Sequence, residues 1–424
     1  MNRAFRVVAS LAVASALAVG AAAGCAQIAA FRRPFEAPGN ALRVSWRRQI
    51  TETQLYGGHD TYVVDGKSIR AKTGLVMGYK PQEFAAAISD GTRVFVGSAH
   101  GMMWALSAAD GALLWRRPLA GPISSEPAYF PELDLLVVGD DDGSLWGLDP
   151  ATGHERWVYR IHSPITAQPV YADGLIYFTS TEDRVYAVDA ARGTWKWQYD
   201  REAPEGFTIR GQGGPLYAKG RIYVGFADGY LASLEARTGD VVWVKSLAGE
   251  TTSHYVDVDS TPILVDGTLY ASSVSGGVFA LDPKDGSVHW RFEADGASSV
   301  RVHDERVYFS AGRQGLHCLD LAGRLVWRQE LAGAGELATP LVVDDARGKA
   351  WVVLSAAASG AYIADAQTGV LSQFLEPGDG VSAPASSDGK NVYVVSNGGF
   401  VWALSMGNRP REAARNQMPT IEGL

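Results

Sequence analysis

Cysteine is almost absent from this chain of 424 residues, with only Cys25 and Cys318. Two thiols cannot build a disulfide framework, and Cys25 falls in a leader region with other uses. Histidine is sparse as well. Its eight copies stand singly, at positions 59, 100, 154, 162, 254, 289, 303 and 317, without metal-ligand spacing. Basic clusters are missing: the runs in "FRRPF" and "WRRQI" hold two arginines each. The formal net charge is −8, from 38 Lys and Arg against 46 Asp and Glu. Such a balance excludes a nucleic-acid backbone as partner. No Gly-x-Ser-x-Gly elbow and no phosphate loop occurs, and no catalytic triad can be assembled.

Repetition is what the sequence does have. Eight times an apolar strand and a tight Gly turn recur, in six copies followed by a strand with Trp in fixed register, as in "LWGLDPATGHERWVYRI" from Leu145. Equivalent positions are Trp104, Trp146, Tyr186, Ala232, Phe279, His317, Tyr362 and Trp402, spaced by 42, 40, 46, 47, 38, 45 and 40. A period near forty with strand-type alternation predicts an all-β fold, an eight-bladed β-propeller of four-stranded antiparallel blades. Pro127, Pro169, Pro215, Pro262, Pro340 and Pro384 precede strands, where no ladder donor is lost.

In six copies a Trp stands four residues after the last turn Gly: Trp115, Trp157, Trp197, Trp243, Trp290 and Trp327. These rings are expected to fill the wedge between blades. Copy seven has Gln373 in that register, beside Phe374. Copy eight stops after "VWALSMGNRP", and its missing Trp strand is expected to be "ALRVSWRRQI", Ala41–Ile50. The beginning of the chain would then close the ring and remove two exposed edges. Cys318, in a strand, is expected to be a small core hydrophobe, and His317 to pack where other copies place a ring. "GDDDGSLW", Gly139–Trp146, resembles a calcium loop out of context, but in register it is a second turn, so no metal is expected.

The N-terminus has its own pattern. Arg3 and Arg6 precede an apolar run from Val7 to Ala23, followed by "AAGC" at Ala22–Cys25. Charge, apolar run and small residues predict a signal peptide over 1–24. Cys25 after the small residues resembles a bacterial lipobox, with Ala22 where a large aliphatic residue is usual. Lipidation of Cys25 is the expectation; ordinary cleavage with an incidental Cys is the other reading. Residues 25–40 then form a lipidated tether, 41–406 the propeller and 407–424 a disordered tail. Ala26 offers no retention signal, which by that resemblance implies the outer membrane.

Function is left to the loops. Two inter-blade connections are long and consecutive: Asp200 to Gly214, and Ala248 to Ser260. They hold Phe207, Ile209 and Arg210, then Tyr255, Asp257 and Asp259, the aromatic and Arg anchors typical of binding hot spots. A second reading has Arg210 pairing with Asp257 or Asp259 and merely stapling the loops together.

The motif "DVDSTPILVDGTLYA", Asp257–Ala271, resembles the Asp-x-Asp-(Thr/Ser)-Thr-Pro signature of the BamB family, propeller lipoproteins of bacterial outer-membrane β-barrel assembly with PQQ-like repeats. "FTIRG", Phe207–Gly211, resembles that family's Leu-x-Leu-Arg-Gly loop, with Phe207 and Ile209 in place of the leucines. The resemblance implies a non-catalytic periplasmic scaffold on the outer membrane, without cofactor. Phe207, Ile209, Arg210, Asp257 and Asp259 would contact the POTRA domains of a BamA-like partner, and strand edges could meet nascent β-barrel proteins. The segment Thr51–Glu83 has no assigned counterpart. The repeat "LDPATG…W" is also similar to quinoprotein dehydrogenases, which carry pyrroloquinoline quinone and calcium on the axis. The adjacent cysteines of many members are missing here. A quinone-dependent or other small-molecule-binding propeller, or an unrelated cell-surface interaction module, remains the alternative.

Overall fold

The computed structural model describes residues 41–51, 59–64, 67–72, 82–201, 213–248 and 256–406. Eight four-stranded antiparallel sheets follow one another along the chain. Blades 1 to 7 span residues 88–118, 128–160, 170–200, 216–246, 263–292, 301–329 and 341–375. Blade 8 takes three strands from residues 386–406 and its fourth from Leu42–Gln49. The first strands of neighbouring blades approach one another, including those of blades 8 and 1, so they surround the axis. The ring is closed.

The repeat register is borne out strand by strand. Trp104, Trp146, Tyr186, Ala232, Phe279, His317, Tyr362 and Trp402 all occupy the third strand and face equivalent positions of the second. These two strands are buried almost throughout, because both faces of each sheet pack against a neighbour. Fourth strands, on the rim, alternate between partly covered and exposed. Asp189 and Asp365 end third strands, and Asp149 directly follows one. Each carboxylate accepts from the backbone N–H two and three residues on, which sets the last turn.

Each fourth-strand Trp docks on the last turn of the next blade, not of its own. The indole N–H donates to a turn carbonyl: Trp115 to Pro150, Trp157 to Ala190, Trp197 to Ala236, Trp243 to Pro283, Trp290 to Leu321 and Trp327 to Ala366. Trp46 does the same to Ala108 at 2.9 Å. The ring lies flat on the turn glycine. At Gly153, with φ +72°, an added Cβ would come within 2.6 Å of the Trp115 ring. That glycine therefore supplies both the turn conformation and the seat for its neighbour. Blade 7 lacks the Trp. There the Gln373 amide accepts from Leu42 N–H (3.1 Å) and donates to Leu42 C=O (2.8 Å), clamping the closing strand directly.

The closing strand pairs from Leu42 opposite Met406 to Gln49 opposite Phe400, with a bulge between Val44 and Trp46. Thr51, at its end, donates its hydroxyl to the Glu83 carboxylate, and Ala99 N–H donates to the other Glu83 oxygen at 2.8 Å. The unassigned segment therefore leaves and rejoins the ring at one place. Between these points lies a hairpin, His59–Val64 with Lys67–Lys72. Cys318 is buried, and burial pushes its thiol up to about 11. His317 is buried and stacks on Phe309 with centroids 4.9 Å apart. Burial pulls its imidazole down to about 4. Asp140, in the calcium-like turn, accepts from Ser144 N–H and Trp146 Nε1, both at 2.8 Å, so turn and ring use up its carboxylate.

Candidate functional site

Antiparallel order places the second turn of each blade and the inter-blade connections on one face of the ring. On that face blades 3, 4 and 5 bring carboxylates together. Asp183 stands in the second turn of blade 3, Asp228 in that of blade 4, and Asp257 and Asp259 in the connection to blade 5. The segment 256–260 is threaded into the ring rather than looped out. Val258 N–H donates to Phe226 C=O (3.0 Å) and Val274 N–H to Asp257 C=O (2.9 Å). Ser260 Oγ bridges to Ser272 C=O at 2.8 Å. Ile123 and Ile165 make the equivalent backbone contact in earlier blades.

Asp257 is buried and Asp259 half-buried. Burial, then the Asp257 and Asp183 carboxylates, push the Asp259 carboxyl up to about 9. Burial also raises Asp183 to about 6, against a hydrogen bond from Ala227 N–H, with Asp228 and Asp257 adding to the rise. Asp183 Oδ2 is buried without a hydrogen-bond partner. Arg201 pairs with Asp228 and covers the Tyr230 ring at 4.4 Å. Chemically, this patch suits a donated proton or an incoming guanidinium or ammonium group.

Of the residues singled out in the sequence, the structure brings Asp257 and Asp259 together. Phe207, Ile209, Arg210 and Tyr255 lie outside the described residues, as do Cys25, the signal and tether over 1–40 and the tail over 407–424. The sequence reading missed Asp183, and a signal for it existed. At the turn position where other copies carry Gly, such as Gly143 and Gly229, blade 3 has Asp183 at φ +57°. Asp tolerates that conformation better than most residues, at a cost a plain turn does not need.

The axis carries a second polar constellation. Glu126, at the head of blade 2, and Arg301, in the first strand of blade 6, come from opposite sides of the eight-blade ring. Burial raises Glu126 to about 6, opposed by the Arg301 charge and a Gln168 hydrogen bond. Burial lowers Arg301, opposed by Glu126. Hydrogen bonds from Gln168 to Pro127, Gly214 to Thr261 and Thr261 to Ser299 stitch neighbouring blades around the axis.

A family model described as outer membrane protein assembly factor BamB matches residues 43–133, 130–322 and 275–408, nearly the whole ring. The chain belongs to the BamB family. An outer membrane protein assembly factor BamB of Kangiella koreensis is 34% identical over 164 residues, covering 36% of this chain and 42% of that protein. The chain thus spans less than half of that relative's length in the matched stretch. The crystal structure of BamB from Moraxella catarrhalis aligns with a TM-score of 0.68 at 20% identity, over 77% of this chain and 98% of that one. That likeness bears on the fold. Similarity also reaches the quinone-dependent alcohol dehydrogenase subunit of Gluconobacter oxydans, 28% identical over 197 residues, 41% of this chain and 24% of that protein. A quinone on the BamB-type axis of this chain would meet Glu126 and Arg301 facing each other. The one described cysteine, Cys318, is enclosed within blade 6 and its neighbours. Among the described residues the axis gathers no group of three His, Cys, Asp or Glu side chains able to share a cation, so a calcium-bound quinone does not fit there.

Proposed function

We propose that this chain is a non-catalytic scaffold of outer-membrane β-barrel assembly, held to the periplasmic face of the outer membrane by a lipidated Cys25. Its docking face would be the rim of blades 3 to 5, binding the POTRA domains of a BamA-like protein. The observation that carries this reading is the carboxylate patch formed by Asp257 and Asp259 of the family signature segment with Asp183 of blade 3. Asp259 is the acid of the pair with exposed surface, so it suits direct contact with a basic partner side chain. Asp257, being buried, suits holding the segment in shape. Phe207, Ile209 and Arg210 would add the apolar and cationic part of the contact. The experiment is a pull-down with a POTRA fragment. Asp259→Lys and Arg210→Glu are each expected to abolish capture while the melting temperature stays within a few degrees of the parent. Capture by both variants would place the interface elsewhere. The competing reading, a quinone-dependent propeller, draws on the dehydrogenase similarity. Quinone absorbance retained after reconstitution with calcium would favour it.

A further inference from the structure

The first and last turns of each blade lie on the face opposite the docking rim. There the second strands of blades 4 and 6 both begin with arginine, Arg221 and Arg306. Two residues on in each strand is a tyrosine, and the fourth strand of each blade carries the docking Trp. In blade 4 all three converge on the next blade's last turn. Tyr223 Oη and Trp243 Nε1 each donate to Pro283 C=O at 3.1 Å, and Arg221 Nη1 donates to Pro283 and Lys284 C=O at 3.3 and 3.1 Å. In blade 6 Tyr308 Oη and Trp327 Nε1 reach Ala366 C=O in the same way, at 3.2 and 3.1 Å. Arg306 does not follow. Its Nη1 is buried with no hydrogen-bond partner. A charged donor left in this state is costly unless something else accepts from it.

What Arg306 borders is a cleft of about 500 Å³ between blades 6 and 7, also lined by Tyr308, Arg347, Lys349, Asp304 and Asp365. Of the two acids there, Asp365 is engaged and Asp304 turns to solvent. Asp365 pairs with Lys349 at 2.7 Å and accepts from the N–H groups of its own turn. Asp304 is largely exposed and lies 3.5 Å from His303. Arg347 is exposed, and its guanidinium makes no hydrogen bond or ion pair among the described residues. Two guanidinium groups thus border one cleft without a carboxylate in hydrogen-bond contact, Arg306 lying against the neutral Cys318 thiol and Arg347 in the field of Asp345. Their forked donors match phosphate oxygens, and the volume lies in the range of small-molecule sites.

We propose that this cleft binds a phosphate monoester, with Arg306 and Arg347 as the ligating residues and Lys349 at its edge. A dianion answers two guanidinium groups that lack a direct carboxylate partner better than a single carboxylate. The phosphate could belong to a small soluble molecule or to a lipid headgroup. Two probes separate the sources: glycerol 1-phosphate titrated by calorimetry into the full chain, and flotation with phosphatidylcholine vesicles with or without phosphatidic acid. Saturable binding to at least one probe is expected, weakening as ionic strength rises. Arg347→Ala should weaken it about tenfold, the loss of one charge-assisted contact. Arg306→Met combined with Arg347→Ala should remove it, while Arg221→Met, at the backbone-paired equivalent in blade 4, should leave it intact. Glycerol phosphate binding points to a soluble ligand, and binding to phosphatidic acid vesicles alone to a headgroup. Failure of both probes, or equal binding by Arg347→Ala, overturns the proposal. Because the cleft lies opposite the docking rim, either result is independent of POTRA capture.

Discussion

Single carboxyl groups on the proposed docking rim have a consequence that can be measured without any partner. The Asp259 carboxyl, at about 9 in the folded chain against an ordinary 3.8, keeps a proton that the unfolded chain has already released over most of that interval. The folded state then binds more protons than the unfolded one, so stability falls as pH rises from about 4 to about 9. Asp183 and Glu126 act in the same sense but finish near 6. His317 acts oppositely: its stabilising neutral form is fully present above 6.5 and is lost as pH falls toward 4. Below pH 6.5 these effects overlap and partly cancel. Between pH 7 and 9 Asp259 stands apart from all three. The parent chain is therefore expected to lose melting temperature from pH 7 to 9. Asp259→Asn, which cannot ionise, should give a flatter profile and a higher melting temperature at pH 8. Calorimetric scans at pH 7, 8 and 9 check this, and parallel profiles would remove the acidic patch from the account. A partner cation placed beside Asp259 would release the same proton, so docking on this rim should strengthen with rising pH.

At the scale of the blade, the recurring unit is a Trp, a turn carbonyl and a turn glycine contributed by two blades. The ring supplies buried area and the indole N–H supplies direction, so each lock fixes both the distance and the tilt between neighbours. Trp157→Ala in the blade 2 to 3 lock removes both and is expected to cost about 3–5 kcal/mol. Trp157→Phe keeps most of the area and leaves Ala190 C=O without its donor, for a loss of about 1–2 kcal/mol. Urea unfolding of the two variants against the parent measures the split, and equal losses would mean the hydrogen bond contributes nothing. Sequence spacing alone revealed that these tryptophans sit in the wedge, because the Gly-to-Trp interval is local. It could not reveal that each ring seats on the following copy's glycine, about forty residues away. The same limit applies to Gln373. Its departure from the repeat is visible, but its partner Leu42 is 331 residues distant. In the sequence, the segment 256–260 falls in the long connection from Ala248 to Ser260 that widens the repeat spacing, and so reads as loop. Its equivalence to the segments around Ile123 and Ile165 is carried by Val258, one apolar residue in a polar stretch.

The eight blades form a ring in which seven interfaces join consecutive copies and one joins the last copy to the first. The closing strand meets its two neighbours differently: toward blade 7 the Gln373 clamp replaces the Trp lock, and toward blade 1 Trp46 repeats that lock on Ala108. Hydrogen bonds from Ile50 and Thr51 N–H to Gly399 C=O, at 2.8 and 3.3 Å, continue the seam. Trp46 is almost wholly buried, in a cluster shared by blades 8 and 1. A buried indole covers about 150–250 Å², which at ~25 cal/mol per Å² is about 4–6 kcal/mol. That is a large share of the ~5–15 kcal/mol by which a domain is usually stable. Losing the closing strand would also bare the edge Phe400–Met406, whose unpaired groups can pair with another chain. A chain beginning at residue 52 is therefore expected to melt well below the parent and to self-associate as concentration rises. Adding a peptide of residues 41–51 should restore a monomer and much of the lost melting temperature, because the strand is held by pairing and packing rather than by its covalent link. Size-exclusion chromatography with and without the peptide is the measurement. A truncated chain that stays monomeric at the parent's melting temperature would show that closure by the beginning of the chain is not what holds the ring together.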